Sequence, residues 1–556
     1  MNLTGINWLS WYCALEGHRN VATGEAKRNP WTVTPYCHSP WRGEGIRCPS
    51  RAVELGGIRF HGFREALHPW LQSATATRPA NRRIIRQTSQ GDPHSNMQPI
   101  IVINAVGLTP RLLPLAPRLS ALAQSGWMTP LDGVIPAVTC SAQATILTGR
   151  PVDRHGIVAN GWHFRDTTEV RFWQQSNRLI QAEPLYATAK KRAAERGRSF
   201  KSAKLFWWFN QGAAVDVSVT PKPWYGVDGN KVFGITGTPP GHAERLEAKL
   251  GRFPFQTFWG PMAGLPCTRW IAKCAAEVVT TDKPDLTLVY LPHLDYEPQR
   301  RGPSGCDMAK HVKELDDACA PLLDAAKSAG AQVWVVSEYG HCDVTTPVYL
   351  NRALRIAGLL EVRDGPFGEQ LDLYGSRAFA VCDHQLAHVT VADPSDIPLV
   401  QDVLRAIPGV GKIYAGEERA AIHLNHERAG DIVVLSTPDA WFAYPFWLDD
   451  THAPDYARAV AIHHKPGYDP CELLFDPKFA VPKLHAARRL IQKKLGFRMT
   501  MDVVPLDASL VRGSHGLLAA NPLDRAILIG HGAKPTNEST PMTGVRDLLL
   551  GAMGLA

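Results

Sequence analysis

The chain has 556 residues, 45% apolar and 20% charged, a globular composition with room for a large core rather than a disordered one. Its formal charge of +8 is uneven: residues 1–96 hold twelve Lys and Arg against six Asp and Glu, which leaves +2 for the other 460 residues. A nearly neutral body without a basic helix or a nucleic-acid module motif speaks against general nucleic-acid binding. No apolar run approaches the roughly eighteen residues needed to span a bilayer, and eleven scattered cysteines suggest neither a disulfide framework nor a thiolate zinc site.

Residues 1–96 are rich in Arg, Trp, Pro and Gly and carry no sustained apolar period. We expect a disordered or non-native leader, with the natural start at Met97 and, lacking a secretory pattern, a cytoplasmic location. From residue 99 the texture changes. The β-branched run 100–106 ends at Gly107 and predicts a central parallel strand. Leucines at helical spacing predict a helix over 111–125. Helices near 186–196, 270–279 and 308–329 alternate with strands at 286–291 and 332–336, which predicts an α/β fold with a mostly parallel sheet. Between 348 and 444, short elements near 378–382, 388–391, 397–407 and 431–435 read as an inserted α+β cap subdomain. A strand at 525–530 and a helix at 543–554 close the chain, so the core is expected in two parts, 97–347 and 445–556.

Ligand sites of such sheets lie beyond the carboxyl ends of the strands. Five polar segments fall there: 104–108, 137–141, 293–299, 337–343 and 513–516. Each alone is what a turn or a helix cap looks like; their joint placement is the signal.

Together these segments resemble the type I phosphodiesterase/nucleotide pyrophosphatase family of the alkaline phosphatase superfamily. The resemblance rests, in order, on Val106-Gly107, on Pro136 to Thr139 with Thr148-Gly149 and His155-Gly156-Ile157, and on Leu294-Asp295 to Gln299 with Gly302-Pro303. It continues through Ser337-Glu338-Tyr339-Gly340-His341 and Gly513-Ser514-His515-Gly516, so that it spans about residues 97 to 556. It implies an alkaline-phosphatase-like core and a metal-dependent hydrolase of phosphodiester or pyrophosphate bonds. Thr139 is the implied nucleophile, acting on a small phosphate ester or nucleotide-like substrate.

The implied metal ligands are Asp295, Glu338 and His515, with Asn104 a weaker one. Where the family has an Asp, this chain has Val106, with Asn104 on the same strand face two residues earlier. The family's histidine after the second motif corresponds to Gln299, its Asp-His pair to Glu338-Tyr339, and its Asn three residues after the nucleophile to Ala142. Zinc takes imidazole, thiolate and carboxylate ligands, so the cofactor expected is zinc or another divalent metal, one ion rather than two. Replacement ligands or substrate contacts are sought in Gln299, His341, Asp383, His384 and His388, the two histidines sharing a face if that stretch is helical. His293 and the cluster from His463 to Asp469 are further candidates. Backbone N–H groups of Cys140 and Ser141, at a helix start, are candidate donors to a phosphoryl oxygen.

The alternative is a non-catalytic protein of the same fold that binds a ligand or partner, which the lost ligands favour. A sulfatase is disfavoured because Cys140 to Ala144 lacks the Pro and Arg of that nucleophile's context, and no Gly-x-Ser-x-Gly elbow indicates a serine hydrolase.

Overall fold

Ile100–Ala105 forms a strand in which every residue is buried, and its side chains alternate between two cores. Ile101, Ile103 and Ala105 face one cluster; Ile100 and Val102 face the other. The first cluster takes Leu119, then Ile271 and Val278 from helix Leu265–Asp282, and Leu315 and Leu322 from helix Met308–Ser328. The second takes Ala142 and Ile146 from helix Thr139–Thr148, Tyr186 and Ala189 from helix Leu185–Glu195, and Leu549 from helix Val545–Ala552. Burying each large aliphatic side chain contributes about 1.5–3 kcal/mol, and covering both faces explains the continuous apolar run.

This computed structural model describes residues 98–556 apart from 228 and 229; the leader expected over 1–96 lies outside the described residues. The main sheet has nine strands in the order Thr540–Pro541, Trp127–Asp132, Ala526–Gly530, Gln332–Val336, Ile100–Ala105, Leu286–Leu291, Ser202–Leu205, Val217–Tyr225 and Lys231–Thr238. The run from Gln332–Val336 to Val217–Tyr225 is parallel throughout. Ala526–Gly530 pairs antiparallel with both its neighbours, and Lys231–Thr238 antiparallel with Val217–Tyr225. The fold is thus the expected α/β arrangement, a mostly parallel sheet flanked by helices. Ala378–Asp383, Leu386–Val391, Ile432–Ser436 and Val410–Ala415 build a separate antiparallel sheet. Among the described residues no helix is long and apolar enough to cross a membrane.

Two expectations are corrected. The helix expected over 111–125 is only Pro117–Ser125, preceded by a 3-10 turn at Leu113–Leu115. Pro117 sets the start, since a proline pushes the preceding residue out of the helical region and suits the first helical position. The stretch 383–388 is a hairpin rather than a helix: Ala-His-Val-Thr-Val favours a strand, and His384 with Gln385 makes the turn.

Candidate active site

The parallel strands ending at Ala105, Leu291 and Val336 deliver Gly107, the 3-10 turn His293–Asp295 and the segment from Ser337 to His341 to one edge. Gly107 turns there with φ +76°, and a Cβ on it would lie 3.0 Å from the His341 ring and 3.1 Å from the Leu294 carbonyl. Thr139, 3% exposed, opens its helix directly after the extended Val138. Its Oγ1 is 2.9 Å from the Tyr339 hydroxyl, and that hydroxyl donates to Asp295 Oδ1 at 3.2 Å. With the Tyr339 proton given to the carboxylate, Thr139 is the donor of the first pair.

Asp295 Oδ1 also meets His341 Nε2 at 3.1 Å and His515 Nε2 at 3.8 Å. Burial by itself raises the Asp295 carboxyl. The hydrogen bond and electrostatic attraction of His341, with smaller attractions from His515 and His384, outweigh burial and hold the group below its ordinary 3.8. His515 Nδ1 donates to the Ala137 carbonyl at 2.8 Å, which leaves Nε2 as a lone pair, buried and without a hydrogen-bond partner. The backbone joins the same pieces: Ala137 N–H donates to the Gly516 carbonyl, and Gln385 N–H to the His515 carbonyl.

Glu338 forms the inner wall. Its Oε1 accepts from Asn104 Nδ2 at 2.5 Å and from Gln143 Nε2 at 2.7 Å, while Oε2 and Asn104 Oδ1 are buried without partners. Burial lifts this carboxyl from 4.5 to about 8, the two amide hydrogen bonds opposing it. Gln143 escaped the sequence reading, although it sits one helical turn beyond Thr139 on the same face.

The hairpin of the second sheet carries His384 in. The residue has φ +59°, a left-handed conformation uncommon for a side-chain-bearing residue. Its ring lies 3.7 Å from the His515 ring and stacks at 3.8 Å on Tyr468. His384 Nδ1 pairs with Asp383 Oδ1 at 2.8 Å, its Nε2 is buried without a partner, and burial lowers its pKa to about 3. Asp383 is an anchor rather than a site group. It accepts from the Asn160 N–H and from Asn160 Nδ2, and Asn160 Oδ1 in turn takes the Cys140 N–H at 3.0 Å. That pairing removes Cys140 as a donor to a substrate oxygen.

His388 points elsewhere: its Nε2 pairs with the Val158 carbonyl and its Nδ1 accepts from the Gly430 N–H. The shared helical face expected for it is replaced by strand geometry. Gln299 Oε1 accepts from the Tyr468 hydroxyl at 2.6 Å, and its Nε2 has no partner. Of the 463–469 cluster, Tyr468 is what reaches the site. Lys465 instead pairs with Asp469 and Glu472, and His463 with the Phe172 carbonyl. Tyr339 and Tyr468 carried no signal as partners in the sequence, because an aromatic residue among core elements reads as packing.

Asp295, His341 and His515 each offer one ligand atom, all within 4.8 Å of one another. A carboxylate and two imidazoles are a donor set zinc accepts, and the unpartnered His515 Nε2 is a buried lone pair that an ion would satisfy. These residues fit one ion, and Gln299, the motif's counterpart of a ligand histidine, is not among them. The Glu338 side offers one carboxyl with two amides, Val106 lacks a donor, and the Tyr339 ring stacks at 3.7 Å on His515. That donor set does not fit a second zinc ion.

A helix-flanked, mostly parallel sheet with a Thr, Asp, Glu and His constellation on its carboxyl edge defines an alkaline-phosphatase-like hydrolase fold. The family model for type I phosphodiesterase/nucleotide pyrophosphatase matches residues 100–469, and the chain belongs to that family. Phosphonoacetate hydrolase from Sinorhizobium meliloti 1021, solved with phosphonoformate, superposes with a TM-score of 0.52 at 16% identity, over 82% of this chain and 96% of that one. Murine ectonucleotide pyrophosphatase/phosphodiesterase 5 gives 0.48 at 15% identity, over 83% and 96%. The human protein of that name gives 0.49 at 13%, over the same shares. At these identities the likeness concerns the fold. No curated protein matches the sequence.

Proposed function

We propose that this protein hydrolyses phosphodiester or pyrophosphate bonds of small, nucleotide-like phosphate esters, with Thr139 as nucleophile and one divalent ion, zinc by its donor set, held by Asp295, His341 and His515. One observation carries the reading: the Thr139 hydroxyl is linked through Tyr339 to the carboxylate that gathers both imidazoles. When bound, the ion supplies positive charge against which phosphoryl oxygens gather charge in an in-line displacement.

The protein's own groups do the rest. Tyr339 orients the Thr139 oxygen, and the Asp295 carboxylate fixes the Tyr339 hydroxyl. The start of helix Thr139–Thr148 presents its positive end and the Ser141 N–H to a phosphoryl oxygen, a role for which Ala142 has no side-chain donor. Attack of the Thr139 oxygen on phosphorus breaks the P–O bond to the leaving alkoxide or phosphate, which leaves with the hydroxyl proton taken up through solvent. Water then attacks the Thr-linked phosphoryl or nucleotidyl group, breaks its bond to Thr139 and returns a proton to that oxygen.

The test is metal analysis with turnover of a p-nitrophenyl phosphodiester before and after chelation. An equivalent of ion that Asp295→Asn loses, loss of turnover on chelation, and a loss of roughly 10³-fold or more in Thr139→Ala are expected. Absence of both metal and turnover would overturn it. A second reading, a binding protein without catalysis, is favoured by the Tyr339 hydroxyl closing over a Thr139 that is 3% exposed. In that case Thr139→Ala leaves the ligand affinity intact and no substrate is turned over by either protein.

A further inference from the structure

His293, His311 and Glu314 form a second group of converging ligand atoms, all within 4.8 Å of one another. We propose that they hold a second divalent ion, zinc by its donors, which clamps the strand end carrying Asp295 to the helix Met308–Ser328. The group is separate from the Asp295 cluster. His293 and Asp295 share a 3-10 turn, in which side chains two residues apart point about 120° from each other.

Two of the three spacings come close to the edges of a tetrahedron. Glu314 Oε2 lies 3.2 Å from His293 Nε2 and 3.1 Å from His311 Nδ1. An ion with bonds of about 2.0–2.2 Å sets neighbouring ligand atoms about 3.3–3.6 Å apart, so a movement of a few tenths of an ångström admits it. Both helical ligands come from one face, three residues apart, in a helix whose start is capped by the Asp307 side chain on the Lys310 N–H. The third comes from the end of a buried strand, so two rigid elements define the site.

Accessibility fits a metal as well. The His293 side chain is 4% exposed, but those of His311 and Glu314 are 14% and 27% exposed, which gives an ion a path from solvent and leaves a fourth position for water. Arg269 lies close enough to His293 to oppose a cation, and the Glu314 carboxylate offsets it. An ion here tethers Pro292 to Asp295, whose turn is otherwise closed by the Asp295 N–H on the Pro292 carbonyl at 2.9 Å.

The experiment is zinc stoichiometry by mass spectrometry on protein stripped and reloaded with zinc, for wild type, His311→Ala, Glu314→Gln, and each of these combined with Asp295→Asn. His311 and Glu314 lie on a partly exposed helix surface, so both variants keep the fold, which circular dichroism verifies. The expected result is the loss of one equivalent in His311→Ala and in Glu314→Gln, in either background. That loss is independent of what the Asp295 cluster binds. A zinc-induced rise in melting temperature should persist in Asp295→Asn and vanish when either change is added to it. Equal zinc content with and without His311 and Glu314, or an undiminished rise in melting temperature, would overturn the proposal.

Discussion

Glu338→Gln probes the charge on the inner wall of the candidate site. Glu338 is 1% exposed, and burial carries its carboxyl from 4.5 to about 8. In protein stripped of metal the folded state keeps this proton up to about pH 8, whereas the unfolded chain releases it near 4.5. Between those values the folded state binds more protons. The stabilisation is therefore fully present below pH 4.5 and is lost as pH rises through 8. At about 1.4 kcal/mol per unit the whole window is worth about 5 kcal/mol as a ceiling.

A glutamine keeps an oxygen for Asn104 and Gln143 and supplies an N–H where the neutral acid has its O–H. Urea denaturation with chelator present at about pH 5, 6.5 and 8 measures the effect. The two proteins should have similar stability at the lowest pH. Wild type should then fall behind the variant by several kcal/mol at the highest. Parallel stability curves across that range would refute a neutral Glu338.

Tyr339→Phe keeps the ring stacked on His515 but leaves Thr139 and Asp295 one partner short. Turnover of a phosphodiester should fall about 10²-fold through misorientation of the nucleophile, with zinc content unchanged and stability lower by about 1 kcal/mol. Lys465→Met strands two buried carboxylates, Asp469 and Glu472, now 2.7 and 2.8 Å from the ammonium. A loss of about 3–5 kcal/mol is expected in urea denaturation. Gly513→Ala drives a Cβ into the Pro298 carbonyl and to 3.1 Å from Gly302 Cα, two residues before His515. Stability should drop by about 1–3 kcal/mol and zinc affinity should weaken with it, as titration calorimetry would report.

What the sequence made legible was local. The strands at 286–291 and 332–336 are found at those bounds because buried parallel strands read as unbroken β-branched and aliphatic runs closed by turn residues. Thr139, Asp295, Glu338 and His515 could be picked out because each lies at such a strand end or in a compact motif. His341 and His384 were visible as candidates but not as neighbours of one carboxylate. Their meeting depends on the pairing of Cys342 and Asp343 with Ser514 and Gly513, and on the hairpin turn at His384, contacts between residues far apart in the chain. His388 shows the opposite failure: a four-residue spacing that suits a helix means nothing once strand propensity sets the backbone.

Tyr339 reverses the reading of the departures themselves. As a sequence it is a lost histidine, one of several ligands missing from the family's pattern. In the structure its hydroxyl is satisfied on both sides, by Thr139 and Asp295, and its ring covers His515. A site decaying without constraint gains buried donors and acceptors that nothing satisfies, each costing about 1–3 kcal/mol. Here the substituted positions form their own bonded set: Tyr339 to Thr139 and Asp295, Gln299 to Tyr468, and Asn104 and Gln143 to Glu338. Of the unpartnered atoms that remain, His515 Nε2 and His384 Nε2 belong to rings gathered beside Asp295, while Asn104 Oδ1, Glu338 Oε2 and Gln299 Nε2 lie on the walls around them. The bonds among the substituted residues, with two imidazole nitrogens left open beside one carboxylate, are what a reorganised site shows rather than a merely eroded one.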